Sequence, residues 1–274
     1  MALVWVNVSA RIGRVSGCGC AVVVSAILAV VLVVAVAAWM VSATGPGVKS
    51  RQLQPVPYEV PPAQPAPVAL IDVHAPGRTA DALDEWAQPL ADESRIPAQA
   101  LRAYGNAELI AKEAWPACHL RWSTLAGIGY VETRHGTYNG NWFKPSRLQE
   151  DGTPDPAIVG IALNGTNGTA NIADSDGGRI DGDSTYDRAV GPMQFIPQSW
   201  QRFGSDANGD GVADPHQIDD AAMGAAALLC AGGRDLSTSE GWTAAIMSYN
   251  ASDAYVRSVG MAANSYAVPQ PATS

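Results

Sequence analysis

From about Cys20 to Val41 the chain runs apolar with no charged residue. A run of over twenty such residues is long enough to cross a bilayer as a helix. A cleaved signal peptide normally has a shorter apolar core, so an uncleaved signal anchor over residues 20–43 is expected. Val41-Ser-Ala43 also resembles a small-residue cleavage site, which leaves secretion as the alternative. Arg11 and Arg14 are the only charges in the first forty residues, and they precede the run. The positive-inside rule then places residues 1–19 in the cytoplasm and everything after Ser42 outside the cell membrane. Val15-Ser-Gly-Cys18 has the letters of a lipoprotein box, but there the apolar run comes first, so lipidation is rejected.

That topology sorts the four cysteines. Cys18 and Cys20 fall at or inside the membrane boundary. Cys118 and Cys230 are the only thiols of the exported part, where oxidation is expected, so a Cys118–Cys230 disulfide is predicted. Closing so long a loop stabilises a fold by about 4–5 kcal/mol in the chain-entropy model, often less in practice. No Cys/His spacing suggests zinc. The net charge of −9 argues against nucleic acid as a partner, because phosphate binding needs a basic stripe.

Prolines crowd residues 44–80 (Pro55, Pro57, Pro61, Pro62, Pro65, Pro67) without helical or strand periodicity, which predicts an extended spacer that holds a domain off the membrane. The globular part is expected over 81–268, large enough for one core but small for two, with a frayed tail at 269–274. A helix is expected from Pro97 toward Lys112, and another from about Ser123. Asp219 and Asp220 suit the first turn of a helix with the stripe Ile218, Ala221, Ala222, Ala225 and Leu229. Trp242, Ala245, Ile246 and Tyr249 mark a further helix, and a shorter one carries Tyr255 and Val259. Between His135 and Asp187, Gly, Asn and Asp dominate, so short strands or hairpins are expected there with no readable pairing.

Within Leu125-Ala-Gly-Ile-Gly-Tyr-Val-Glu-Thr-Arg-His-Gly136, Leu125, Ile128 and Glu132 share one helix face. Two of them are aliphatic, so the carboxyl points toward a core or cleft wall. With Gly136 as helix stop, Glu132 falls in the last turn, against the negative end of the helix dipole. Burial and dipole both push its pKa upward, as a glycosidic general acid requires.

Together with Gly191-Pro-Met-Gln-Phe195 and Ser248-Tyr-Asn250, in this order, the segment resembles the lytic transglycosylases of bacterial cell walls. The resemblance is to the membrane-bound B-type branch of that lysozyme-like superfamily, in an actinobacterial-type subgroup, and covers about residues 95–266. It fits especially well over Asp181-Gly-Asp-Ser-Thr-Tyr-Asp-Arg-Ala-Val-Gly-Pro-Met-Gln-Phe195. It implies a mainly α, lysozyme-like α+β fold: a helical catalytic domain with a small loop- and hairpin-rich insertion. It also implies peptidoglycan glycan strands as substrate and cell-wall synthesis or division proteins as partners. Glu132 would be the catalytic acid. Gln194 matches the glutamine of the family's Gly-x-x-Gln-Phe motif, with Met193 and Phe195 as cleft or floor residues. Thr185 stands where relatives have a small hydroxyl residue, Tyr249 and Asn250 match a Tyr-Asn pair, and Tyr255 falls at the spacing of a further tyrosine. For Met193, Phe195 and Tyr249 plain core packing is an equal reading.

The implied chemistry is a one-acid scheme that forms 1,6-anhydromuramyl ends. A second carboxylate from Asp174, Asp176, Asp181, Asp183 or Asp187 would instead give a water-using muramidase. A non-catalytic wall-binding scaffold is the reading of another class.

Asp206-Ala-Asn208-Gly-Asp210-Gly-Val212-Ala-Asp214 repeats oxygen groups at alternate positions, with glycine at the sixth. A structural calcium ion is expected there, with Val212 offering its carbonyl. The twelfth position is Gln217 rather than glutamate, and Asp220 would close the shell through a longer loop. The bland reading is a solvated turn.

Overall fold

The computed structural model describes residues 53–166 and 168–272. The expected cytoplasmic segment, the signal anchor and both of its cysteines lie outside the described residues. No helix among the described residues is long and apolar enough to cross a membrane.

Seven α-helices build the described domain: α1 (Asp84–Ser94), α2 (Ala98–Ala114), α3 (Trp122–Thr133), α4 (Pro197–Phe203), α5 (Ile218–Cys230), α6 (Ser239–Tyr249) and α7 (Asp253–Ala267). The domain is thus mainly helical, with few strands. Packing is most extensive between α3 and α7 and between α2 and α5. The expected stripe of α5 is fully buried, and so is nearly every other residue of that helix. Alanines and a glycine make it thin enough for neighbours to close on all sides. Two glycines do the same for α3. A Cβ on Gly127 would lie 2.8 Å from the Val259 carbonyl of α7, and one on Gly129 would lie 2.0 Å from the Tyr104 hydroxyl of α2. Helix propensity is given up at both positions for close approach.

The first N–H of α3 is satisfied from another helix. Glu108 on α2 accepts from the Trp122 amide at 2.5 Å, which also sets a negative charge at the positive helix end. Cys118 lies just ahead of α3 and Cys230 ends α5, and the two are joined in a disulfide with Cα atoms 5.4 Å apart. α7, expected to be shorter than α6, has 15 residues against 11.

The proline-rich segment is not a free spacer up to residue 80. From Gln54 onward it belongs to the compact unit. Prolines fix φ and remove donors, so this stretch enters neither helix nor sheet, but its carbonyls remain good acceptors. Indole and amide donors of the helices use them. Trp86 donates to the Pro67 carbonyl and Trp122 to that of Ala66, each at 2.9 Å. Asn264 on α7 donates to the Glu59 carbonyl and accepts from the Ala63 amide. The tail is docked too. Gln270 is buried and exchanges two hydrogen bonds with the backbone of Gln54, so both ends of the unit are pinned together.

Between α3 and α4 the expected hairpins appear. β1 (Arg147–Leu148) pairs antiparallel with β2 (Pro154–Asp155), and β3 (Val159–Ala162) with β4 (Arg188–Val190). The excursion from β3 to β4 holds the acidic stretch; isolated bridges Asn164–Asn171 and Ala173–Tyr186 continue the pairing there, and side-chain carboxylates close the turns. Asp174, Asp176 and Asp183 each accept from backbone amides two to four residues on, as Asx turns do.

Candidate active site

Glu132 sits in the last turn of α3, above Leu125 and Ile128, which are both fully buried. The residue itself is only partly buried, so the carboxyl is desolvated by its surroundings and still reachable. Burial pushes its pKa up to about 7, although the hydrogen bond from Tyr255 pulls the other way. The Tyr255 hydroxyl donates to Glu132 Oε1 at 2.5 Å.

α3 ends two residues earlier than Gly136 would end it. Arg134 and His135 already have left-handed backbones, with φ of 52° and 62°. Such angles are uncommon outside glycine and cost roughly 1–3 kcal/mol each. Among the bonds that hold this turn, His135 N–H donates to the Gly129 carbonyl at 2.8 Å, and the buried Thr133 hydroxyl to the Pro192 carbonyl at 2.6 Å. The second bond ties the end of α3 to the Gly191–Gln194 segment.

That segment is a four-residue hairpin loop closed by the Val190–Phe195 bridge, whose two backbone bonds are 2.8 and 3.0 Å. Gln194 closes it with φ of 51° and donates from its amide to the Gly191 carbonyl at 3.0 Å. It keeps part of its surface exposed, and its oxygen has no described hydrogen bond. Met193 and Phe195 are buried at 0% and 2% exposure. They form the floor beneath the site and offer no wall to a ligand.

Tyr249 locks the hairpin to α6. Its hydroxyl donates to the Met193 carbonyl at 2.7 Å, and its ring meets Phe195 edge-on at 5.8 Å. On the other side it stacks parallel to Tyr255, with centroids 6.4 Å apart. Burial, and then the Glu132 charge, holds both phenols well above the usual range. Both therefore remain neutral donors.

Glu132, Tyr255, Tyr249, Phe195 and Met193 thus form one connected cluster, with Gln194 on the same hairpin. Asn250 follows at the exposed C-cap of α6, beside Tyr249. Thr185 lies on an exposed turn of the insertion, where its backbone bonds Asp183 and Asp174; no described bond joins it to the cluster.

A buried Tyr104–His135–Tyr266 network was not foreseen in the sequence. The His135 ring lies 3.2 Å from the Tyr104 hydroxyl and 2.9 Å from that of Tyr266. Burial, and then Arg134, depresses the imidazole pKa to about 3, so His135 stays neutral and links α2 and α7 behind the Glu132 turn. A histidine three residues after the acid was the only available signal.

In the Asp206 loop the oxygens answer to the backbone. Asp206 accepts from Gly209 and Gly211, both at 2.7 Å, Asp210 from Val212, Asp214 from His216 and Asn208 from Asp210. Both oxygens of Asp220 accept backbone N–H groups. Backbone hydrogen bonds to these side chains thus close the Asp206 loop. Among the described residues the acids that bring ligand atoms within 4.8 Å of one another are Asp174, Asp176 and Asp187.

The family model described as the transglycosylase SLT domain matches residues 171–244. The matched stretch holds the Gly191–Phe195 hairpin and Thr185, and stops short of Glu132 on one side and Tyr249 on the other. No curated protein and no solved structure matches the chain. Over that stretch the chain is similar to the transglycosylase SLT domain, which supports a lysozyme-like transglycosylase family acting on the glycan strands of peptidoglycan.

Proposed function

We propose that the protein is a lytic transglycosylase that cleaves the β-1,4 bond between N-acetylmuramic acid and N-acetylglucosamine, with Glu132 as acid and then base. The observation that carries this reading is the partly exposed Glu132 carboxyl in the last turn of α3, held by the Tyr255 hydroxyl; burial pushes its pKa up to about 7, which suits proton transfer near neutrality. Protonated Glu132 gives its proton to the glycosidic oxygen as the bond to the anomeric carbon breaks. The substrate's own acetamide stabilises the positive charge, one of the exceptions to the two-carboxylate rule. Ionised Glu132 then takes the proton of the muramyl 6-hydroxyl, whose oxygen bonds the anomeric carbon to close the 1,6-anhydro ring. No water is consumed, and the acid ends protonated as it began.

The likeness of residues 171–244 to the transglycosylase SLT domain supports this scheme over a muramidase. Tyr255 donates to Glu132 Oε1, which keeps the carboxylate oriented between its two proton transfers. Gln194 and Asn250 are proposed to bind sugar acetamides and hydroxyls, and Thr185 to join them only if the insertion moves toward the cleft. Membership of the B-type branch and its actinobacterial-type subgroup rests on the motifs at Glu132, Gln194 and Tyr249.

The apolar run at 20–43 and the arginines before it support a cell-membrane anchor with the domain outside. Recruitment by wall-synthesis or division proteins and a structural calcium ion at the Asp206 loop belong to the same proposal. Digestion of purified peptidoglycan followed by mass spectrometry tests the chemistry. Anhydro ends are expected, and reducing ends would replace the proposal with hydrolysis. Glu132→Gln should lower lysis by about 10²–10⁴-fold with glycan binding kept; an unchanged cellular phenotype in that variant would leave the scaffold reading.

A further inference from the structure

Directly after the Glu132 turn the chain displays aromatic rings to solvent. Phe143 is fully exposed and Trp142 is 76% exposed, on a short loop between α3 and β1. The loop is held in shape. Tyr138 N–H donates to the Thr133 carbonyl at 2.8 Å, one residue beyond Glu132. The Asn141 side chain accepts from the amides of Phe143 and Lys144, and Asn139 donates to the Lys144 carbonyl. The Trp142 ring rests against Tyr138 with centroids 4.6 Å apart, which fixes one face and leaves the other open.

Displaying two large aromatic surfaces costs hydrophobic free energy that a covering partner would recover. The rings stand among side-chain amides; Lys144 is the one charge beside them, since Arg134 at the start of the loop lies over the Tyr130 ring. Amides beside a fixed aromatic face suit alternating amino sugars, which present apolar ring faces together with acetamides and hydroxyls. An anionic lipid surface would call for a basic cluster, and this chain carries a net −9.

We propose that Trp142 and Phe143 form a stacking platform for the glycan strand beyond the scissile linkage, a subsite continuous with the end of α3. The inference rests on the transglycosylase reading for its ligand, not on the cleavage step. Platform contacts are made only by strands long enough to leave the cleft. The platform therefore adds affinity for long substrates and nothing for short ones.

The test uses the full-length protein with Glu132→Gln as a non-cleaving background, so that binding is read apart from catalysis. Trp142→Ala/Phe143→Ala is compared with its parent for binding to long uncross-linked glycan strands and to the muramyl tetrasaccharide. Dissociation constants for long strands should rise about tenfold, with the tetrasaccharide unaffected and the melting temperature kept. Trp142→Tyr should restore most of the long-strand affinity. Equal losses at both lengths, or none, overturn the platform. So does loss of binding to phosphatidylglycerol vesicles with glycan affinity intact, which would make the loop a membrane contact. If the Glu132-containing protein makes no anhydro ends while the length dependence holds, the cleavage reading fails and the platform stands.

Discussion

The ends of two helices each bury a carboxyl group, and they treat it in opposite ways. Asp220 lies in the first turn of α5, fully buried, and accepts backbone N–H bonds from Ala207, Asn208 and Asp214 at 2.7, 3.1 and 2.9 Å. It sits at the positive end of a helix, where anions are favoured. Glu132 lies in the last turn of α3, where they are disfavoured, and its one described hydrogen bond comes from the Tyr255 phenol. Burial raises both pKa values, to about 6 for Asp220 and about 7 for Glu132. Asp220 is surrounded by donors that need its oxygens, so it acts as a joint between a loop and a helix. Glu132 is left with spare lone pairs, an open side and a proton near neutral pH. Donor count separates these two carboxyls more sharply than pKa does.

Removing the joint should have the largest effect on stability. Asp220→Ala strands three backbone N–H groups in a partly buried loop, and each unsatisfied group costs about 1–3 kcal/mol. Chemical denaturation should show a loss of about 3 kcal/mol or more. A loss below about 1 kcal/mol would mean that water replaces the carboxylate, and the contrast with Glu132 would disappear.

Glu132→Gln should act in the other direction. The folded-state pKa of Glu132 is raised above the unfolded value, so its contribution is fully present below about 4.5 and is lost as pH rises through about 7. The neutral amide escapes that loss. At pH 8 the variant should be about 1–3 kcal/mol more stable than the parent, and below pH 4.5 the two should coincide. Equal stability at pH 8 would show that the carboxyl is hydrated rather than desolvated.

How far each region was legible in the sequence follows from which forces build it. The α5 stripe and the Trp242 helix declare themselves by period, because burial acts on side chains three and four residues apart. The Glu132 face was legible for the same reason, and Cys118 and Cys230 through compartment. The docking of residues 54–78 was not, since a proline-rich stretch carries no period and its acceptors are backbone carbonyls. Nor was the Tyr104–His135–Tyr266 network, whose members come from two helices and the turn after a third, far apart in sequence. In the insertion the local Asx turns could be anticipated and the strand partners could not, because pairing of short strands leaves little pattern. The burial of Met193 and Phe195 followed the core reading that their apolar character had allowed beside the cleft reading.

Tyr255→Phe sharpens the contrast from the reactive side. It removes the described donor to Glu132 and so removes the influence that lowers that pKa. Under the proposed scheme the alkaline limb of the pH–rate profile should move upward from about 7, with activity at its optimum within about tenfold of the parent, as expected if Tyr255 orients Glu132 and does not itself transfer the proton. A downward shift, or no shift, would remove Tyr255 from the proton-transfer step.

The smallest effect concerns the proposed calcium ion. A loop whose carboxylates already serve backbone amides gains only what the ion adds beyond those bonds, so weak affinity is expected, near the millimolar range of extracellular calcium modules. With a dissociation constant of about 1 mM, 10 mM calcium stabilises the folded state by about 1.4 kcal/mol. For a domain of this size that raises the melting temperature by about 3–5 °C over a chelated sample. The shift should vanish in Asp206→Asn and persist in Asp174→Asn. If it follows Asp174 instead, the ion belongs to the acidic stretch of the insertion. If calcium moves neither protein, hydrogen bonds alone close the loop, and Asp220 is the whole of the joint.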